Sequence, residues 1–125
     1  MKDDENYLEK IEAIIQGNSR YKFESYSFVL AALHHTVSSL KSPRHITGPE
    51  LLEGVRQYAL QQFGRMSRTV LEYWGIRETR DIGEIVFALV DAGILRKQPD
   101  DKIEDFANVY DFKEVFDRGF EIKDE

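Results

Sequence analysis

The chain has 125 residues, of which 42% are apolar and 32% charged, with a net charge of −6 and no cysteine. This composition belongs to an ordinary globular protein rather than a disordered, fibrous or membrane one, and a chain of this length buries about two thirds of the surface its unfolded form exposes. Disulfides, thiolate metal sites and cysteine nucleophiles are excluded.

The start, MKDDENYLEK, is acidic and lacks the basic residues and apolar run of a signal peptide. No stretch approaches the roughly 18 apolar residues of a membrane span, so a cytoplasmic protein with no membrane partner is expected. Residues 1–125 are read as a single domain, in which 1–20 form an N-terminal helix and turn and 118–125 a frayed tail. The first helix is expected over residues 4–16, with Tyr7, Leu8, Ile11, Ile14 and Ile15 at helical spacing and Gly-Asn-Ser as the stop. A second helix is expected from Phe23 to Leu40, its stripe formed by Tyr26, Val29, Leu30, Leu33, Val37 and Leu40. Pro43 disfavours helix at Ser42.

A third helix begins at RHITGPELLEG, residues 44–54. Thr47 is a natural N-cap, Glu50 completes a T-x-x-E capping box, Pro49 is tolerated in the first turn, and Gly64 can terminate the helix. A short fourth helix over residues 65–74 presents Met66, Val70, Leu71 and Trp74 and ends at Gly75. Asp81, with Glu84 three residues on, is read as the cap of a fifth helix with Ile82, Ile85, Val86, Leu89 and Val90 on its apolar face and Gly93 at its end. Ile94 and Leu95 then leave as a strand, and Phe106, Asn108, Tyr110 and Phe112 alternate as a return strand, with one last helical turn in KEVFDRGF.

These elements predict a mainly α fold with a small β-hairpin (α+β). Its second half has the order of a winged helix-turn-helix and is preceded by two N-terminal helices. In such a fold the fifth helix would meet DNA. The face assigned to solvent, however, holds Asp81, Gly83, Glu84, Ala88 and Asp91, and carboxylates oppose both base reading and phosphate contact. Nucleic acid is therefore an unfavoured partner.

Charge is unevenly spread: residues 1–17 carry two basic and five acidic side chains, residues 18–80 nine and five, and residues 81–125 six and thirteen. The basic middle and the acidic end are expected to attract each other within the fold or across a dimer. Arg65, Arg68, Arg77 and Arg80, interleaved with Tyr73 and Trp74, form the best basic and aromatic cluster. It could hold an anion or RNA backbone. The competing expectation pairs the arginines with Glu72, Glu78 and Glu84 and turns Trp74 to the core.

Arg44 and His45 precede a helix N-terminus, where cations are unfavourable without a negative neighbour. That neighbour is expected to be an acidic side chain from residues 81–125, with a bound anion as the alternative. His34 and His35 point about 100° apart on one helix and cannot share a metal. No glycine-rich phosphate loop, nucleophile elbow or H-E-x-x-H occurs, so neither a catalytic residue nor a metal or other cofactor is assigned.

The blocks RHITGPELLEGVRQYALQQFG, TVLEYWGI, TRDIGEIVFALVDAGIL and DFANVYDF resemble a bacterial family of small conserved hypothetical proteins, over about residues 21–117. The resemblance implies a stand-alone bacterial domain and carries no activity or site residue. The expected function is a non-enzymatic protein-interaction module that self-associates as a homodimer. A nucleic-acid-binding regulator is the second reading. A small anion-binding protein or enzyme using Arg44 and His45, the latter as acid or base, is the third.

Overall fold

The computed structural model describes residues 2–42, 44–96, 98 and 101–118, with side chains described from Tyr7 to Asp117. Five α-helices carry the fold: α1 (Lys2–Gly17), α2 (Phe23–Ser38), α3 (Gly48–Phe63), α4 (Ser67–Tyr73) and α5 (Thr79–Asp91). A 3-10 turn over Gly64–Met66 leads into α4, another spans Ile103–Phe106, and Lys113–Arg118 is π-helical. The frayed tail expected at 118–125 lies almost wholly outside the described residues.

The expected stops are where the chain turns. Gly64, Gly75 and Gly93 all take positive φ, at 55°, 102° and 81°, the left-handed region in which glycine carries no Cβ penalty. The apolar stripes then meet in one core. Ile11 comes from α1, Tyr26, Val29 and Ala32 from α2, Leu52, Val55 and Ala59 from α3, Leu71 from α4, and Ile82, Ile85 and Leu89 from α5. Leu8 and Met66, both assigned to buried stripes on spacing, are instead exposed at 47% and 54%.

The β-hairpin is a correction: the described residues contain no strand, and with it goes the winged-helix order. Two sets of hydrogen bonds explain why. The N–H groups of Ile94 and Leu95 turn back to the Leu89 carbonyl (2.9 and 3.2 Å). These residues wrap the open end of α5 rather than leaving as a strand, so helix carbonyls without intrahelical partners are satisfied locally. Further on, the buried Thr79 hydroxyl donates to the Phe106 carbonyl (2.6 Å) and its oxygen accepts from the Val109 N–H (3.2 Å). Backbone groups a ladder would need are thus bonded to α5. Asn108, at φ 54°, breaks the alternation between them.

The aromatic residues assigned to the return strand fill separate seats. The Phe106 ring lies between α3 and α5: a Cβ on Gly83 would sit 2.6 Å from its Cγ, and one on Gly48 3.0 Å from its Cζ. A side chain at Gly83 would force the ring to move, and one at Gly48 would press tightly on its far edge. Phe112 and Phe116 pack edge to face at 5.1 Å in the core, while Tyr110 donates its hydroxyl to the Leu52 carbonyl (2.7 Å). Burial pushes the Tyr110 phenol above its ordinary value.

The start of α5 is a second correction. Asp81 is not its cap but its third residue. The N-cap is Glu78. Asp81 and Gly83 are both buried, so the first turn of the face expected to meet solvent is turned inward, while Glu84 and Ala88 are partly buried and Asp91 is exposed. The Asp81 carboxylate, 2% exposed, accepts from Tyr21 Oη (2.6 Å) and Arg20 Nη2 (3.0 Å) on Oδ1, and from the N–H groups of Arg77 (2.8 Å) and Glu78 (3.1 Å) on Oδ2. A buried carboxylate is tolerated only when satisfied in this way. Burial and the bond to Asp81 raise the Tyr21 phenol well above its ordinary value.

Candidate functional site

The stretch in front of α3 is a helix start with a cleft beside it. Thr47 caps α3 by accepting from the Glu50 N–H (3.2 Å), and Glu50 Oε1 accepts from the Thr47 N–H (2.8 Å), which closes the expected capping box. Arg44 lays its guanidinium along the same carboxylate, Nη1 to Oε1 at 3.1 Å and Nη2 to Oε2 at 3.0 Å. Its negative neighbour is therefore the third residue of its own helix, not the acidic end of the chain. The Arg44 fork, joined by the Thr47 N–H, lowers the Glu50 carboxyl to about 2, and Glu50 in turn raises Arg44.

His45 follows the original expectation. Its Nε2 lies 3.7 Å from Asp101 Oδ1, beyond direct hydrogen-bonding distance but close enough for attraction when the ring is charged. Arg44 and His45 are half-exposed, and both line a cleft of about 230 Å3. Its floor comes from Leu33 and Val37 on α2, Leu51 on α3 and Val86 and Val90 on α5. Leu95 and Phe106 close it, and Arg96, Gln98 and Asp101 complete the polar rim.

The arginines of the expected basic cluster do not join this site, and each has different neighbours. Arg68 bridges Asp117 (2.9 Å) and Glu72 (3.0 Å), and both carboxylates, Asp117 first, raise its guanidinium. Arg80 pairs with Glu84 (3.3 Å), as does Arg20 (3.6 Å). Arg77 lines a polar hollow of about 250 Å3 with Glu78, Thr79, Asn108, Tyr110 and Asp111, and Arg65 is exposed on the turn before α4. The contacts Arg20 to Asp81 and Glu84, His45 to Asp101, and Arg68 to Asp117 all join the basic middle to the acidic end within one chain.

A third surface is aromatic. Phe28 of α2, Tyr58 and Phe63 of α3, and Trp74 after α4 pack ring against ring at 5.5–5.8 Å and wall an open hollow of about 250 Å3 with Glu24 and Gln62 at its edge. His35 leans on Tyr58 at 5.2 Å, whereas His34 is exposed. Met66, on the 3-10 turn that precedes α4, and Tyr73, the last residue of α4, are exposed at 54% and 73%. Lys22 lies 5.2 Å above the Tyr73 ring.

Sequence reasoning reached Arg44, His45, Thr47 and Glu50 but missed Arg96, Asp101 and the floor of the cleft. The usable signal was the pairs Leu33/Val37 and Val86/Val90, each four residues apart and all only partly buried, at the margins of stripes whose centres fill the core. Among the described residues no group of three or more His, Asp or Glu is placed to hold a metal, and no helix is long and apolar enough to cross a membrane. Comparison with protein-family models, with curated proteins and with solved structures gives no match.

Proposed function

We propose that this chain is a non-enzymatic interaction module that self-associates through the aromatic face of α2, α3 and α4. The observation that carries the reading is the open hollow walled by Phe28, Tyr58, Phe63 and Trp74, together with Met66 and Tyr73, both exposed on the segment of chain that runs from Phe63 to Trp74. Large apolar side chains grouped at the surface and edged by polar residues are the anatomy of a contact surface. Aromatic residues are also the side chains whose loss most often weakens such contacts.

Because the chain's opposite charges meet in ion pairs within one copy, an association through this face is apolar, and rising salt should not weaken it. Light scattering across a concentration series of the full chain tests this. A concentration-dependent rise toward twice the monomer mass is expected, and Tyr73→Glu with Met66→Glu should abolish it. A wild-type chain that stays monomeric at high micromolar concentration, or a dimer untouched by both substitutions, removes the reading.

The nucleic-acid reading draws less support, because Arg68 and Arg80 already face carboxylates. A cytoplasmic setting and a bacterial source belong to the same proposal, on the cysteine-free sequence and the resemblance described above.

A further inference from the structure

The cleft beside Arg44 and His45 lies on a different surface from the aromatic face, so either reading can fail alone. Leu33, Val37, Val86, Val90 and Leu95 come from three separate parts of the chain, and each is left only partly buried around the same hollow. Apolar surface kept wet in a concave place, with polar groups confined to one edge, is the construction of a small-ligand site.

The rim sets the chemistry of the ligand's polar end. Arg44 is engaged by both oxygens of Glu50 and offers little to a newcomer. Arg96 is exposed, and no ion pair joins it to any described residue. His45 faces Asp101 across a loose 3.7 Å gap. Asp101 therefore holds its carboxylate where a ligand's carboxylate would sit, at a distance that an incoming anion can improve on.

We propose that this cleft binds a small amphipathic carboxylate, its tail on the aliphatic floor and its carboxylate between Arg96 and His45, in competition with Asp101. At about 30 Å3 for each water-sized group, 230 Å3 accommodates roughly eight heavy atoms. That matches the tail of an eight-carbon acid with its carboxylate at the rim. No bond is made or broken in this event; it is reversible binding.

The test is titration of the full chain with octanoate, followed by the chemical shifts of Leu33, Val37, Val86 and Val90 methyl groups, with 1-octanol as the uncharged probe. Saturable shifts at those methyls are expected, with a Kd of about 0.1–1 mM. Octanol should bind several-fold more weakly. Arg96→Ala, at an exposed position, should weaken octanoate by about tenfold, and Asp101→Asn should strengthen it. Val90→Trp should fill the hollow and remove binding while the circular dichroism stays helical; if that variant does not fold, Arg96→Ala and Asp101→Asn still decide. Shifts that never saturate, shifts elsewhere in the molecule, or equal affinity for octanol overturn the proposal, as does indifference to both rim substitutions.

Discussion

Helices α3 and α5 begin in the same way: an acid three residues past the N-cap reaches back to the N-cap amide, Glu50 to Thr47 and Asp81 to Glu78. The surroundings of the two acids differ in every other respect. Glu50 stays half-exposed, and all of its partners lie within six residues of it. Asp81 is buried and takes Tyr21 and Arg20 from 60 and 61 residues away. A local motif that starts a helix in one place thus fastens the chain to itself in the other, and burial decides which, since exposed pairs contribute little and a buried carboxylate must keep every partner.

Removing each acid's support should expose that difference. The largest effect is expected from Asp81→Ala, which strands the buried Tyr21 hydroxyl and takes the acceptor from the partly buried N–H groups of Arg77 and Glu78 at the start of α5. A loss of about 2–4 kcal/mol in urea unfolding is expected, from the unsatisfied hydroxyl and the lost helix start together, with Tm lower by roughly 8–16 °C. A loss no greater than that at an exposed cap would collapse the distinction. Tyr21→Phe leaves Asp81 three of its four donors and should cost about 1–2 kcal/mol; the double mutant with Asp81→Ala should cost much less than the sum.

Thr47→Ala should cost about 1 kcal/mol, as losses of such caps usually do, and the change should show as earlier melting of α3 in amide exchange. The smallest effect is the acid response of Glu50. Its value near 2 in the fold lies below the ordinary 4.5. The carboxylate therefore supports the fold fully above about pH 4.5, and that support is lost as the pH falls toward about 2. Unfolding followed between those limits should show a shallower acid loss in Arg44→Ala than in the wild type.

The helices were legible because their stops and stripes are local. Gly64, Gly75 and Gly93 mark turns by themselves, and the Thr47/Glu50 box needs nothing outside four residues. Asp81 was misplaced by three positions because Asp is a good cap wherever it stands, and what fixes it here is Tyr21, far away in the chain. The alternation from Phe106 to Phe112 was read as a strand because period two is a local signature, whereas the hydroxyl that claims the backbone of that segment belongs to Thr79. The candidate site divides along the same line. Arg44 and Glu50 are six residues apart, but Asp101 and the cleft floor assemble only once α2, α5 and the closing segment meet.

The seat of Phe106 between Gly48 and Gly83 has a consequence for synthesis. Helices α3 and α5 share a contact with a ring that is made after both of them. A chain growing from its N-terminus thus carries two glycine-lined notches with nothing to fill them until residue 106 is free to fold back. During that interval the nascent protein presents apolar surface that a holding chaperone could recognise, and a premature stop before this residue should give an aggregation-prone product.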